Sequence, residues 1–372
     1  MSDHIPFHIQ VNIIKMLPVK SLIRSRSVSK AWKALIDSSE FVAHTLTRRS
    51  NQQHHLMVRY IDVLDREIKY VLVADDDNDD TLLPQQHEIE PLNQIEGSTV
   101  AGTSDGLLCF YGTVDSGLYK AVIWNPSIRK AVDVPMPNML QNYQYDTFVR
   151  FGVRQDTLDP MIVTMTFNHD WNDCNGIDTV PWKVEVFTLS SRTWRRTLCS
   201  SSDVLRGDGV RFERSQVVIG GFIYWLGLDE VDNTVFSFDM VTEECTRVIL
   251  PECLKYPRIY GNKLSISKLR DSLAIFDYDE TDFEVWVMEP VVASSFTKLY
   301  SITAPNDGNI NTVLGLRNNG APILEIEDDN EISNQGSVAV SDRDLKHFNS
   351  IGVRGLSFTF EAHFYMETLL LL

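Results

Sequence analysis

The feature that most constrains this chain is a strand-turn-strand unit that recurs along most of its length. It is clearest at "AVIWNPSIRKAVDVP", Ala121 to Pro135. An apolar run ends at Trp124, Asn125-Pro126 opens a turn, and a second, alternating run follows. Strands favour β-branched and aromatic residues, and Asn-Pro starts turns because the Asn side chain bonds nearby backbone while Pro presets φ. Four further copies are "VEVFTLSSRTWRR", "VFSFDMVTEECTRVILP", "FEVWVMEPVVASSFTKL" and "SVAVSDRDLKHFNSI", with Phe187, Phe238, Trp286 and Val340 in the place of Trp124. A weaker copy, "KYVLVADDDNDDTLLP", carries Val73 there.

These markers lie about 50 residues apart, close to the period of β-propeller blades. Another strand-like run precedes most of them, as in "DGLLCFYG", "GGFIYWLGLD", "DSLAIFDYDE" and "GAPILEIED", and a blade needs several such antiparallel strands. The alternative is a β-sandwich or two, in which the turns would recur without a ring. The ring is preferred because radial repetition protects strand edges that open sheets expose. Trp124 is then expected to pack between blades. The C-terminal "AHFYMETLLLL" is strand-like and too apolar to dangle, so it is expected to close the ring on the first blade near "HLMVRYIDVL", His55 to Leu64.

The N-terminal residues follow another period. Ile9, Ile13 and Leu17 stand four apart with Met16 on the same face, which is a helical stripe. Pro18 ends it, Ser21 is a candidate N-cap for a second short helix with Leu22 and Ile23, and Ser29 for a third with Trp32, Leu35 and Ile36. So short a segment cannot bury this much aliphatic surface by itself. Either the helices dock on the body, or a partner covers their apolar face. Charge also sets this head apart: the first fifty residues hold eight basic side chains against three acidic, in a chain whose net charge is −17.

The acidic balance argues against nucleic acid or an anionic membrane as partner. No apolar run approaches the ~18 to 20 residues of a membrane helix, and the N-terminus lacks the basic and apolar regions of a signal peptide. The five cysteines, Cys109, Cys174, Cys199, Cys245 and Cys253, are odd in number and scattered. That suits reduced thiols, and the expected location is cytoplasmic and/or nuclear.

Residues Ile5 to about Thr45, with Ile5-Pro6, Ile13-Ile14, "LPVKSLIR" and "SVSKAWKALIDSSEF", resemble an F-box, the module by which adaptor subunits hang on the Skp-type protein of cullin-RING ubiquitin ligases. From about Gly102 to Leu372, the ordered series "SDGLLCF", "VIWNPSIRKAVDVP", "VEVFTLSSRTWRR", "GGFIYWL", "FSFDMVTEE", "ISKLRDSLAIF", "EVWVM" and "FYMETLLLL" resembles the F-box-associated, kelch-like domain of plant F-box proteins. The resemblance implies an α+β multidomain chain: a small all-α F-box over residues 1–48, then an all-β, propeller-like substrate-recognition domain over 49–372. It implies a substrate receptor of an SCF-type ubiquitin ligase, not itself an enzyme, that binds a Skp-type adaptor and through it the cullin and RING subunits. The residues it assigns to adaptor binding are Ile5, Pro6, Ile9, Ile13, Ile14, Leu17, Pro18, Leu22, Ile23, Val28 and Trp32, some of which must instead pack the F-box's own core. The protein substrate and the residues that hold it stay unknown. Two alternatives remain open at this point: a scaffold that binds without degradation, and a propeller glycosidase.

Residues that could carry chemistry directly are sparse. "DDDNDD", Asp75 to Asp80, lacks the Gly and distal Glu of a calcium loop and reads as a solvated tip. "NHDWNDCN", Asn168 to Asn175, has no second pair of ligands for zinc. Nucleophile elbows and phosphate-binding glycine loops are missing, and each cysteine lies in or beside apolar strand sequence, where a small buried hydrophobe is expected. Hence no catalytic residue, metal site or cofactor is assigned.

Overall fold

The computed structural model describes residues 5–47, 54–75, 84–86, 89, 92, 95–137, 145–168, 183–197, 211–228, 232–256, 263–278, 282–289, 295–303, 310–327, 334–341 and 348–371. Its head is four short helices, α1 (Phe7–Lys15), α2 (Val19–Ser25), α3 (Lys30–Ile36) and α4 (Ser39–Thr47). Pro18 sits at the N-terminal boundary of α2, so Ser21 lies inside that helix instead of capping it. Its missing N–H costs nothing there, where the amide would have no helical partner. Ser29 caps α3 by accepting from the Trp32 amide at 3.1 Å, and Ser38 does the same for the Phe41 amide of α4 at 3.3 Å.

The body is a six-bladed propeller, with six four-stranded antiparallel sheets among the described residues. The first blade holds β1 (His54–Ile61), β2 (Ile68–Asp75) and β3 (Pro84–Gln86). The second holds β4 (Glu96–Ser104), β5 (Leu107–Thr113), β6 (Tyr119–Asn125) and β7 (Lys130–Pro135). The third is β8 (Tyr145–Val153), β9 (Pro160–Asn168), β10 (Lys183–Thr188) and β11 (Trp194–Thr197). The fourth is β12 (Arg211–Ile219), β13 (Phe222–Leu228), β14 (Thr234–Asp239) and β15 (Cys245–Val248), followed by α5 (Glu252–Lys255). The fifth is β16 (Lys263–Leu269), β17 (Ser272–Tyr278), β18 (Asp282–Met288) and β19 (Phe296–Thr303). The sixth is β20 (Ile310–Leu316), β21 (Pro322–Glu327), β22 (Gln335–Ser341) and β23 (Phe348–Leu356), and β24 (Glu361–Met366) returns to complete the first.

That return closes the ring where the sequence placed it. β24 pairs antiparallel with β1 from His54↔Met366 to Arg59↔Glu361. The six turn markers all lie on the third strand of their blades, counting β24 as the first strand of the first blade.

The blades are buried on both faces, which is why runs such as Leu107–Phe110 read as continuously apolar. Successive residues serve opposite interfaces: Leu107 and Cys109 face the third blade, Leu108 and Phe110 the first. In β17, Leu273 and Ile275 turn to the fourth blade while Ala274, Phe276 and Tyr278 turn to the sixth. Six apolar clusters result, one at each blade-blade interface. This radial arrangement rules out the sandwich alternative, whose core would lie between two sheets. Trp124 packs between the first and second blades, its ring 6.3 Å from Phe110, which in turn meets Tyr70 of the first blade edge-on at 5.6 Å. Most markers face the preceding blade in this way. Val340 faces the following one, the consequence of a one-residue offset in a period-2 strand.

Cys109 and Cys245 are buried as expected, and burial pushes the Cys109 thiol pKa up. Cys253, on α5, is exposed, contrary to the expectation for it. Its short helix turns Leu254 into the apolar cluster between the fourth and fifth blades and leaves the neighbouring Cys253 outside it. Cys174, Cys199, the run 76–80 and residues 169–175 lie outside the described residues.

Candidate functional site

The up-and-down path gives the ring two distinct rims. Tight hairpin turns, at residues 105–106, 126–129, 220–221 and 270–271, lie on the rim where α4 leads into β1 and where β24 ends. The helical head sits on this rim. The connections from β9 to β10 and from β11 to β12, among the longest in the chain, leave from the other.

The head presents two apolar surfaces. One is unmet: Ile5, Phe7, Ile9, Ile13, Met16 and Val28 are 41 to 71% exposed. Ile9, Ile13 and Met16 follow helical spacing, so α1 offers one side chain per turn to the outside. Gln10 orders this face. Its amide donates to the Ile5 carbonyl at 2.7 Å and accepts from the Trp32 indole at 3.3 Å, tying the Ile5-Pro6 segment to α1 and α3. A paired contact from Arg26 to Asp37, at 2.6 and 2.9 Å, joins the ends of α2 and α3, and that hydrogen bonding holds the Arg26 pKa above its ordinary value.

The other surface is covered by the chain itself. Ile14, Val19, Leu22, Ile36, Phe41, Val42 and Leu46 are buried in one cluster with residues of the second and third blades and with Leu369 and Leu370. Lys20 adds an ion pair to Glu367 at 3.3 Å. Of the two outcomes left open by the helical stripe, docking on the body occurs on this face, while the opposite face of the head stays exposed.

The eleven residues assigned to adaptor binding divide accordingly. Ile5, Pro6, Ile9, Ile13, Pro18 and Val28 are exposed, and Leu17, Ile23 and Trp32 are half-buried. Ile14 and Leu22, each 1% exposed, pack the shared core. A polar residue at Leu22 would consequently test folding and not a surface contact. Phe7 and Met16 share the exposed face and Gln10 orders it, though none is among the eleven; Met16 was visible in the stripe, and Gln10 gave no local signal because its partners are Ile5 and Trp32.

The ring's interior is polar. Glu361 on β24 accepts from Arg59 at 3.3 Å and stands 3.4 Å from His363 and 3.8 Å from Arg214. Burial alone would raise its pKa, but the His363 hydrogen bond and the two arginines outweigh that and hold it below the usual carboxylate value. Arg150 is fully buried between the third and fourth blades, donating to the carbonyls of Arg214 and Glu213 at 2.9 and 2.7 Å, with its guanidinium 5.8 Å from the Phe148 and Trp225 rings. Burial drives its pKa down to about 10. On the helix rim, a cavity of about 440 Å³ is lined by Arg154, Thr157, Leu158, Asp159, Thr188, Ser190 and Arg195. Its carboxylate, Asp159, accepts from the Ser190 amide at 2.9 Å and from the Ser190 hydroxyl. Among the residues that line it, Asp159 is the one carboxylate, whereas glycoside hydrolysis needs two across one bond.

Comparison with known proteins meets this geometry at both ends. Residues 2–44 match the F-box domain and residues 32–323 the F-box associated beta propeller domain. The chain belongs to the F-box proteins that carry an F-box-associated β-propeller. Its relatives include F-box protein CPR1 of Arabidopsis thaliana, 28% identical over 330 residues that cover 81% of this chain and 73% of that protein. An Arabidopsis thaliana F-box/kelch-repeat protein is 24% identical, covering 82% and 81%. Protein SUPPRESSOR OF NIM1 1 of the same plant is 26% identical over 259 residues, 67% and 64%. Among the described residues, no helix is long and apolar enough to cross a membrane.

Proposed function

We propose that this protein is a substrate receptor of an SCF-type ubiquitin ligase. Residues 1–48 hold a Skp-type adaptor, and through it the cullin and RING subunits. Residues 49–372 recruit a protein for ubiquitination. The observation that carries this reading is the exposed apolar face of α1 on a head whose other face is already satisfied by the ring. A stripe of this kind, with large aliphatic side chains at helical spacing, fits a groove on a partner. Of the eleven assigned residues, those on this face, Ile5, Pro6, Ile9 and Ile13, are the ones to bind it.

The receptor carries no chemistry of its own. It acts by holding a substrate lysine near the charged conjugating enzyme, which replaces a bimolecular encounter with a high effective concentration. The reducing compartments suggested by five scattered cysteines, cytoplasm and/or nucleus, are where such a ligase would work. The rim opposite the F-box is the side for substrate, since its longer connections leave room for variation that a fixed hairpin does not. By sequence, residues 169–182 and 198–210 hold five Asp against one Arg, a balance that favours a basic substrate segment.

The direct test is Ile9→Asp with Ile13→Asp. Both side chains are about half exposed, so the fold should tolerate the change. Capture of a Skp-type adaptor is expected to fall at least ~30-fold, the effect of losing ~2 kcal/mol at an interface hot spot. Undiminished capture by a variant with the parent's melting profile would refute the assignment.

A further inference from the structure

The F-box and the ring meet through the last residues of the chain. Beyond β24, the chain crosses the helix rim of the second blade, where Thr368, Leu369 and Leu370 are 1, 0 and 6% exposed. The turn that follows Trp124 holds it. Asn125, itself fully buried, donates both protons of its amide, to the Thr368 carbonyl at 3.1 Å and the Leu370 carbonyl at 2.7 Å. Its oxygen accepts from the Ser127 and Ile128 amides at 2.8 and 3.3 Å, and the Ser127 hydroxyl accepts from the Thr368 amide at 3.1 Å. A third element confines the crossing: Gly106 adopts φ +83°, and a methyl group on it would run into the Met366 carbonyl oxygen and the Thr368 side chain.

Leu369 and Leu370 thus belong to the same apolar cluster as Ile14, Val19, Leu22 and Phe41 of the F-box and Leu107, Ile123 and Phe151 of the ring. Glu367 extends the contact to Lys20. The blade turn satisfies the tail's polar groups, and the tail's side chains are left to serve the F-box.

We propose that Thr368–Leu371 is an intramolecular docking element that seats the F-box on the ring and fixes its orientation toward the opposite rim. This crossing segment then sets the geometry between adaptor and substrate, and Asn125 is the positioning residue that holds it. This concerns the free chain and stands whether or not a ligase is the partner.

The test uses the full chain in two forms. Asn125→Asp keeps the turn acceptor but replaces the two donors to the tail carbonyls with a carboxylate oxygen; Leu370→Ala leaves all of these hydrogen bonds in place and removes only apolar contact. Amide hydrogen exchange is read in α2 and α4 of the F-box, and in β17 of the remote fifth blade as a reference. Both variants are expected to speed exchange in α2 and α4 about tenfold or more while β17 stays within twofold. A pair of labels on Lys33→Cys and Leu64→Cys, in a background with Cys174→Ser, Cys199→Ser and Cys253→Ser, should show one narrow distance in the parent and a broadened one in the variants. If α2 and α4 keep the parent's protection in both variants, or if β17 loses protection equally, the tail is only part of the ring's core and the proposal fails.

Discussion

Removing Phe364–Leu372 should open the ring, and the structure sets the size of the effect. The deletion takes away three of the residue pairs between β1 and β24, Leu56 with Phe364, His55 with Tyr365 and His54 with Met366. It also removes three buried apolar side chains, Tyr365, Leu369 and Leu370, together with the buried Thr368. At ~1.5 to 3 kcal/mol for each buried side chain, the lost apolar burial is about 5 to 9 kcal/mol. Asn125 would be left with two amide protons that had been donated to Thr368 and Leu370, adding ~1 to 3 kcal/mol if they stay dry. Typical domains have ~5 to 15 kcal/mol in total, so the truncated chain should be marginal or unfolded, with its β1 edge open to aggregation. Calorimetry and size-exclusion chromatography of the truncated and parent chains provide the assay. A monomeric truncation melting within ~2 °C of the parent would show that the C-terminal strand does not close the ring. From sequence alone, the truncated chain would be expected to keep an intact F-box; with Leu369 and Leu370 in the F-box's own cluster, order in those helices is expected to be lost too.

Two further tests concern charge. Glu361, whose folded pKa lies below its ordinary value because of His363, Arg59 and Arg214, contributes stability that is present above its unfolded pKa and lost as the pH falls through the folded one. Glu361→Gln should therefore lower the melting temperature at neutral pH and flatten its decline between about pH 5 and pH 3; an unchanged acid limb would remove Glu361 from the account. For substrate capture, association rates should fall as salt rises, since an acidic rim steers a basic segment only within about 10 Å at 0.1 M salt. Rates that stay flat from low to high salt would end the steering idea, and neutralising Asp75 to Asp80 should change neither binding nor stability if that run is a solvated tip.

Much of the architecture was legible because its causes are local. Turn chemistry at Asn125, the alternation of strands with short polar stretches, and the recurrence of one marker per unit located the third strand of every blade. The F-box helices followed from four-residue spacing, though Pro18 opened α2 where Ser21 was expected to, since a missing N–H is harmless at that boundary. The fourth helix escaped, although Ser38 capped it much as Ser29 capped α3. Which residues of α1 face outward was only partly legible: exposed Ile9 and buried Ile14 are both isoleucines on one helix, and nothing local separates them.

By itself, the sequence determined a helical head, a series of strand-turn-strand units and a C-terminal strand that had to pair with the first of them. Periodicity and turn residues are properties of neighbouring positions, and they are written in order along the chain. Only the tertiary structure decided how many blades close the ring, which blade each side chain faces, and what covers the inner face of the F-box. An apolar run buried on both sides has the same composition whichever neighbour each residue meets. Likewise, the burial of Ile14 and Leu22 is equally favourable under a partner's groove or under Leu369 and Leu370, more than 300 residues away in the same chain. That choice rests on where closure of the ring brings the C-terminus, and β24 and the Asn125 turn bring it to the F-box.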